Sequence, residues 1–205
     1  MASPGTEDKK QGALSDAELV RGALLRSDDF GRIIEKYQEP LRRYIRRIAS
    51  PSPDELEILL QDIFIKTYEN LNDFEQDLPF SSWIYRIAHN ESIDSLRRKR
   101  RFGGSLDDVS DDEDAVAFVE TIAADTDIVG DIDKEYAKKN ILRVLDLLPA
   151  KYRSVLILKF LEEKDYEEIS DILKKPPGTV ATLIHRAKRD FRKIAAEKGM
   201  DIKNI

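Results

Sequence analysis

The 205-residue chain contains no cysteine and only two histidines, His89 and His185. Without cysteine it can form neither a disulfide nor a thiolate metal site, and such a composition suits a reducing compartment. The sequence also lacks the motifs GxxxxGK[ST], GxSxG and HExxH, which mark nucleotide, nucleophile and zinc sites. Its acidic stretch DDVSDDED lacks the glycine and glutamate positions of a calcium loop. These absences argue against an enzyme, and we expect no catalytic residue, no metal and no cofactor.

Long hydrophobic runs are missing as well. No stretch approaches the roughly 18 apolar residues of a membrane-spanning helix. The first residues, MASPGTEDKKQG, lack the apolar core of a signal peptide. We therefore expect a cytoplasmic protein without membrane insertion, long enough for one large domain or two small ones.

Charge is distributed unevenly along the chain. The formal net charge is −6, yet residues 103–135 alone hold 12 anions and 1 cation. Residues 30–102 and 136–205 are net positive, at +1 and +6, and residues 1–29 are at −2. Two glycines open the acidic segment, which is typical of a linker. Opposite charges attract within about a Debye length, so this linker either folds back on the basic flanks or is a solvated spacer.

Helical periodicity appears in both flanks, and no strand pattern competes with it. Residues 30–102 predict three helices, with apolar stripes that begin at Phe30 and Leu56 and a third helix capped by Ser81 or Ser82. These helices, with those of the second flank, predict an all-α fold.

Two irregularities interrupt the helices of this first flank. Pro40 lies inside the first stripe and is expected to kink or divide that helix. The stretch NDFEQDLPF, residues 72–80, combines polar residues with a proline and is expected to form a loop.

The second flank ends in a helix-turn-helix pattern. Asp165 and Glu168 have the spacing of a capping box that opens a short helix, and KKPPG follows as a turn. A longer helix then carries the apolar stripe Val180, Leu183, Ile184, Ala187, Phe191 and Ile194. Such a unit reads DNA with the exposed face of its second helix. An ordinary helical hairpin with a solvated basic face has the same pattern, so both interpretations stay open.

Positive charge is concentrated at the end of the predicted third helix. The segment WIYRIAHNESIDSLRRKRR, residues 83–101, places aromatic residues before five consecutive cations. Aromatic rings stack on unpaired bases and cations follow a phosphate backbone, so the segment is typical of a single-strand surface. Alternatively, Trp83 is a packing residue and the cations only complement the helix dipole.

Four blocks of the chain together resemble the extracytoplasmic-function (ECF) sigma factors, small two-domain specificity subunits of bacterial RNA polymerase. The blocks are DFGRIIEKYQEPLRRYIRRI, LLQDIFIKTYENL, FSSWIYRIAHNESIDSLRR and LPAKYRSVLILKFLEEKDYEEISDILKKPPGTVATLIHRAKRDFRK. The resemblance implies two small helical domains joined by the acidic linker. Residues 1–29 would form a tail and the start of the first helix, 30–102 sigma region 2, 103–135 the linker, and 136–205 sigma region 4.

The resemblance also implies roles for the residues of region 2. Its second helix would bind the clamp helices of the largest polymerase subunit through Leu59, Leu60, Gln61, Asp62, Phe64 and Lys66. The loop and the third helix would capture a flipped base and melt the −10 element. The residues implied are Asn72, Asp73, Phe74, Phe80, Trp83, Arg86, His89, Asn90, Arg97, Arg98, Lys99 and Arg100. Strand separation accounts for the basic run, because the helix must hold an unpaired and negatively charged strand.

In region 4, the helix from about Thr179 would read the −35 element. The residues implied are Thr179, Val180, Thr182, His185, Arg186, Lys188 and Arg189. The sequence departs from the family here, since Ala181 and Leu183 cannot donate hydrogen bonds where polar or basic residues are frequent. We therefore expect modest −35 affinity. A further departure is Ile58, where the family usually has an acid.

The expected partners are core RNA polymerase, promoter DNA at the −35 and −10 elements, and an anti-sigma factor. Two other classes of protein fit parts of the pattern. One is a sigma-like interaction module that sequesters an anti-sigma factor, which Ala181 and Leu183 favour and the basic helix disfavours. The other is a stand-alone helix-turn-helix regulator, which would bind duplex DNA without polymerase.

Overall fold

The computed structural model describes residues 14–75, 78–101 and 134–199, with the backbone alone at residue 100 and at residues 134–140. Every regular element within these ranges is helical, which confirms the all-α prediction. The α-helices are α1 (Asp16–Leu25), α2 (Phe30–Ala49), α3 (Pro53–Glu69), α4 (Phe80–Arg101), α5 (Lys134–Leu147), α6 (Ala150–Leu156), α7 (Tyr166–Leu173) and α8 (Pro177–Glu197). The predicted linker, with its possible fold-back, lies outside the described residues, apart from the first two residues of α5.

The first four helices enclose one apolar core. Helix α2 supplies its central stripe, and α3 and α4 pack across that stripe. The most deeply buried side chains of this core are Ile33, Leu41, Tyr44, Ile45, Ile48, Ile63 and Ile84. The polar faces of α3 and α4 are thereby directed outward.

Pro40 does not divide α2, which runs without a break from Phe30 to Ala49. A proline inside a helix costs about 3 kcal/mol because it removes one hydrogen bond and crowds the preceding turn. Ile33 and Tyr37 are buried before it, and Leu41 and Tyr44 after it. Each such side chain contributes roughly 1.5–3 kcal/mol of burial, so together they outweigh the cost of the proline.

The start of α4 differs from the prediction. The helix begins at Phe80, so neither Ser81 nor Ser82 is its N-cap. The amide of Trp83 already donates to the carbonyl of Pro79 at 3.2 Å, which closes the first turn through the backbone. Ser81 instead accepts a hydrogen bond from Lys164, at 3.2 Å.

Helix α1 is an element that the sequence analysis placed within an N-terminal tail. The sequence nevertheless contains a helix-start signal, because Ser15 and Glu18 have the spacing of a capping box and form one in the structure. Leu19, Val20 and Ala23 are buried at helical spacing against α2. Helix α1 is therefore part of the first group of helices.

The helix-turn-helix prediction is confirmed in α7 and α8. The Glu168 amide donates to Asp165 Oδ1 at 2.8 Å, and the Asp165 amide donates to Glu168 Oε2 at 3.0 Å. Lys174 takes a left-handed conformation at the end of α7, with φ of 50°. Pro177 then opens α8 as its first residue, a position where the missing amide hydrogen of proline carries no cost.

The two groups of helices pack against each other. A short π-helical turn, Ile157–Leu161, extends α6 and leads toward α7. Helix α7 lies against α4, and α6 with its π-helical turn lies against α2. In the part of the chain that the structure describes, no helix is both long enough and apolar enough to span a membrane.

Candidate polymerase and nucleic-acid interfaces

Helix α3 separates the residues predicted to bind polymerase into two groups. Its start is fixed by a Ser52–Glu55 capping box and by Pro53 at the first helical position. Leu59, Leu60 and Phe64 point into the core and are 8% exposed or less. Gln61, Asp62 and Lys66 are exposed. The first group therefore positions the helix, and the second group presents a polar surface.

Apolar side chains flank that polar surface. Ile58 and Ile65 are 57% and 55% exposed, although each is a large aliphatic side chain. They lie seven residues apart on one helix and so share a face. Tyr68 is 48% exposed. Its ring meets the ring of Phe30 in an edge-on arrangement, with 5.1 Å between the centroids. These three residues were not predicted as part of a site, although the spacing of Ile58 and Ile65 off the buried stripe is a usable signal.

An aromatic cluster supports the loop before α4. The rings of Phe74, Phe80 and Trp83 lie with centroids 5.3–5.6 Å apart in tilted and edge-on arrangements. Phe80 and Trp83 are buried at 3% and 8% exposure. Trp83 is thus a packing residue here, in line with the second interpretation of its role. Asn72 and Asp73 are exposed on the 3₁₀ turn Leu71–Asp73 above the cluster.

The middle of α4 faces the protein interior. Arg86 forms an ion pair with Asp171 of α7 at 2.9 Å. His89 Nδ1 lies 2.9 Å from the hydroxyl of Tyr44, and burial lowers the pKa of His89 to about 4, with smaller effects from Lys175 and Arg97. His89 is therefore neutral at pH 7, and of this part of the predicted −10 surface only Asn90 is exposed.

The basic end of α4 is more open. Arg97 and Arg98 are exposed, and Arg97 pairs with Asp94 one turn earlier at 3.1 Å. Lys99 is half-buried, because it pairs with Glu55 at 2.7 Å and donates to the Ser50 carbonyl at 3.2 Å. Its hydrogen bond is the main reason that the pKa of Glu55 is lowered. Lys99 thus ties α4 to α3, and the side chain of Arg100 lies outside the described residues.

The predicted −35 surface lies almost entirely on the open side of α8. Val180 is buried in the core, and Lys188 is half-buried with its Nζ 5.0 Å from the centre of the Phe160 ring. The exposed members are Thr179, Thr182, His185, Arg186 and Arg189. Ala181 is also exposed, whereas Leu183 is half-buried and packs against the core. This face offers cations for phosphates and hydroxyl and imidazole groups for base edges.

The predicted −10 and −35 residues do not form one continuous surface. Most of those on α8 face solvent, whereas Arg86 of α4 forms an ion pair with Asp171 of α7, the other helix of the helix-turn-helix. The exposure of the predicted −10 residue Arg86 therefore depends on how the two groups of helices pack.

Comparisons with known proteins agree with this division. Residues 33–102 match the family model of sigma-70 region 2, and residues 138–191 match that of sigma-70, region 4. The ECF RNA polymerase sigma factor SigW of Bacillus subtilis is 34% identical over 167 residues, which cover 81% of this chain and 88% of SigW. The ECF RNA polymerase sigma-E factor of Escherichia coli K12 is 27% identical over 175 residues, covering 78% and 82% of the two chains.

Two solved structures share the fold. CnrH, in complex with the cytosolic domain of CnrY, aligns with a TM-score of 0.63 at 19% identity, covering 89% of this chain and 97% of CnrH. The sigma factor RpoE of Bartonella quintana, in complex with the anti-sigma factor NepR, aligns with a TM-score of 0.61 at 21% identity, covering 82% and 97%. From the two region matches and the extent of the SigW alignment, this chain belongs to the ECF family of RNA polymerase sigma factors.

Proposed function

We propose that this chain is an alternative sigma factor that joins core RNA polymerase, directs it to a set of promoters and takes part in melting DNA at transcription initiation. The observation that carries this proposal is the match to regions 2 and 4 in family order within one chain. A sigma factor is an initiation factor and not a catalyst, so the chemistry belongs to the polymerase. Because polymerase works in the cytoplasm, we place the protein there.

The outer face of α3 is the proposed polymerase contact. Gln61, Asp62 and Lys66 supply hydrogen bonds and charges of both signs, and Ile58 and Ile65 supply apolar area beside them. An apolar patch rimmed by polar groups is the usual composition of a protein-binding surface. Leu59, Leu60 and Phe64 contribute by holding this face in place.

Promoter melting is proposed for the loop before α4 and for α4 itself. Asn72, Asp73 and Asn90 are exposed polar groups that can read the edges of unpaired bases, and Arg97 and Arg98 can follow the strand. Phe80 and Trp83 form the base of the loop. The energy of unstacking a base, a few kcal/mol, is then offset by capture in the loop and by these contacts.

The exposed face of α8 is the proposed −35 reader. Arg186 and Arg189 contact phosphates, while Thr179, Thr182 and His185 face the bases. The Thr182 hydroxyl donates to the Gly178 carbonyl at 2.9 Å, which leaves its oxygen only as an acceptor. Together with Ala181, this restriction supports a modest contribution of region 4 to sequence reading.

An anti-sigma factor is a further proposed partner. CnrH was solved in complex with the cytosolic domain of CnrY, and the Bartonella RpoE in complex with the anti-sigma factor NepR. By analogy we expect a partner of this kind to control access of the present chain to polymerase.

Transcription with purified components tests the proposal. The protein is added to core polymerase and genomic DNA fragments from the same bacterium, and the transcript ends are sequenced. We expect new start sites that share −35 and −10 sequences. Specific duplex binding without polymerase-dependent starts would instead support a stand-alone regulator. Binding to an anti-sigma factor alone would support an interaction module.

A further inference from the structure

Two ion pairs of opposite polarity join α3, which carries the proposed polymerase contact, to α4, which carries the proposed −10 surface. Near the start of α3, Glu55 pairs with Lys99 of α4 at 2.7 Å. Near the end of α3 the signs are reversed, and Lys66 pairs with Glu91 of α4 at 2.5 Å. The order of the two pairs shows that the helices run antiparallel. Each helix therefore neutralises one charge of the other.

Glu91 is an unexpected residue at its position on α4. It directly follows Asn90, an exposed member of the proposed −10 surface. It also lies seven residues before the exposed Arg98, so the two side chains share a face of the helix. In the sequence of residues 83–101, Glu91 and Asp94 are the only acids. An uncompensated carboxylate on this face would repel the phosphates of a DNA strand.

The two acids of α4 are neutralised in different ways. Asp94 pairs within its own helix, with Arg97 one turn later at 3.1 Å. Glu91 pairs with a cation from another helix, Lys66. The side chain of Glu91 is 14% exposed, against 52% for Asp94. The interhelical pair thus directs the Glu91 carboxylate toward α3 and withdraws it from solvent.

The stability of the fold does not account for this pair. An ion pair with a half-exposed member contributes little to folding, because solvent screens its attraction. The side chain of Lys66 is 49% exposed. Ile63 and Ile84 are completely buried in the core that α2, α3 and α4 enclose, and Lys99 supplies a second bridge. Apolar packing therefore already holds α3 on α4, and the main effect of the Lys66–Glu91 pair is on surface charge.

The position of Lys66 allows it to act on two surfaces. A lysine ammonium group has three hydrogen-bond donors. One of them is directed at Glu91, and because the side chain is half exposed the others can meet an acceptor on polymerase. Lys66 therefore lies where the proposed polymerase contact and the proposed −10 surface meet.

We propose that Lys66 is a positioning residue of the −10 surface, whose ion pair holds the Glu91 carboxylate against α3 and away from the DNA strand. This inference rests on the proposed function and adds a second role to a residue assigned so far to polymerase binding. It also gives a role to Glu91, which was not predicted as part of a site. Loss of the cation leaves an unpaired anion next to Asn90, which weakens strand binding by like-charge repulsion.

Four variants separate the two roles of Lys66. Lys66→Met removes the cation and keeps the length of the side chain, Glu91→Gln removes the anion, and a double variant removes both. Lys66→Arg keeps the positive charge and is the conservative variant. The matched control is Lys36→Met, which breaks an interhelical ion pair with Asp16 of α1 at 2.8 Å. Lys36 is 42% exposed and lies on α2, outside the proposed surfaces.

Each variant is assembled with core polymerase at a concentration that saturates it, and binding of a dye-labelled single-stranded −10 oligonucleotide is measured by fluorescence anisotropy. The oligonucleotide comes from a promoter mapped by transcription. We expect Lys66→Met to lower affinity for the strand roughly three- to fivefold, and the double variant to return to within about twofold of wild type. Lys66→Arg and Lys36→Met should bind as wild type does. The loss in Lys66→Met should shrink as the salt concentration is raised, because salt screens the repulsion.

Polymerase affinity is measured in parallel. Any loss of it in Lys66→Met should persist in the double variant, because removing Glu91 does not restore a contact with polymerase. Circular dichroism checks folding, and Lys66→Gln replaces Lys66→Met if that variant unfolds.

A loss of strand affinity that Glu91→Gln does not restore would overturn the proposal, because Lys66 would then act only through polymerase or through the fold. Unchanged strand affinity in Lys66→Met would overturn it as well. Both results leave the proposed function standing, since the wild-type complex still binds the strand. Failure of the wild-type complex itself to bind the −10 strand would instead refute the proposed function, and this inference with it.

Discussion

Region 2 and region 4 differ in how many of their predicted DNA-binding side chains are exposed. On α8, five of the seven residues are exposed and face solvent. On α4, Phe80 and Trp83 are in the core, His89 bonds to Tyr44, and Arg86 pairs with Asp171. The difference indicates that packing within the protein limits access to the predicted −10 residues of α4 more than to the predicted −35 residues of α8.

The largest expected effect is loss of polymerase binding through α3. Gln61→Ala with Asp62→Lys removes a hydrogen-bonding group and reverses a charge on the exposed face, without touching the core beneath. We expect affinity for core polymerase to fall at least about tenfold, which corresponds to about 1.4 kcal/mol. Fluorescence anisotropy with labelled protein measures this change.

The control for that variant is Glu35→Lys, a charge reversal at an exposed position of α2. It should bind polymerase as wild type does. Wild-type affinity in the Gln61 and Asp62 double variant would show that polymerase binds elsewhere on region 2.

The buried His89 makes the stability of region 2 depend on pH. His89 has a pKa of about 4 in the folded protein, below the roughly 6.5 of an unfolded chain. Between these values the unfolded state binds more protons, so stability is present at pH 7 and is lost as the pH falls. From pH 7 to pH 5 we expect a loss of about 2 kcal/mol from this residue.

Urea unfolding at the two pH values measures that loss. His89→Gln should remove most of the difference between pH 7 and pH 5. An identical pH dependence in wild type and in His89→Gln would show that His89 does not titrate in this way.

The cations at the end of α4 are expected to have two roles, DNA binding for the exposed ones and stabilisation of region 2 for Lys99. Replacing the exposed pair Arg97 and Arg98 with alanine should reduce the salt dependence of −10 binding, with the slope of log K against log salt changing by roughly 0.7 per lost contact. Lys99→Ala should instead lower the stability of region 2, because Lys99 bridges to Glu55 and Ser50.

A salt titration of open complexes on polymerase, together with thermal unfolding, separates the two effects. If Arg97→Ala with Arg98→Ala leaves the slope unchanged, these cations are solvated surface only. If Lys99→Ala changes the slope as much as they do, the distinction between paired and open cations is wrong.

The smallest effect on DNA binding is expected from substitutions on α8. Arg186→Ala with Arg189→Ala should weaken protection of the −35 element only several-fold, because Ala181 offers no hydrogen bond and Thr182 bonds to its own helix. Lys198→Ala, an exposed change past the end of α8, is the control. Footprinting of the polymerase complex measures the change, and tight specific binding by region 4 without polymerase would contradict this ranking.

Hydrophobic periodicity was sufficient to predict the principal helices, because the stripes of α2, α3 and α8 are buried as their spacing requires. Helix starts were predictable where a side chain caps the helix, as Asp165 does for α7. They were missed where a backbone carbonyl closes the first turn, as that of Pro79 does for α4. Such a carbonyl leaves no residue-type signal in the sequence.

The residues of the candidate sites were predictable from the sequence, but their exposure and their ion-pair partners were not. Runs of cations identify the end of α4, yet nothing in RRKRR distinguishes the bridged Lys99 from the exposed Arg98. The partner of Arg86 lies 85 residues away, in the other group of helices. Long-range pairing of this kind depends on the packing of the two regions, which local patterns do not encode.

Permanganate probing of promoter DNA tests the central claim most directly. Promoter fragments are treated with core polymerase alone, with the protein alone and with both, and the reactivity of thymines in the −10 element is measured. We expect reactive, unpaired thymines only when polymerase and the protein are present together. Unreactive thymines in that mixture, with duplex protection by the protein alone, would contradict the assignment of this chain as a sigma factor.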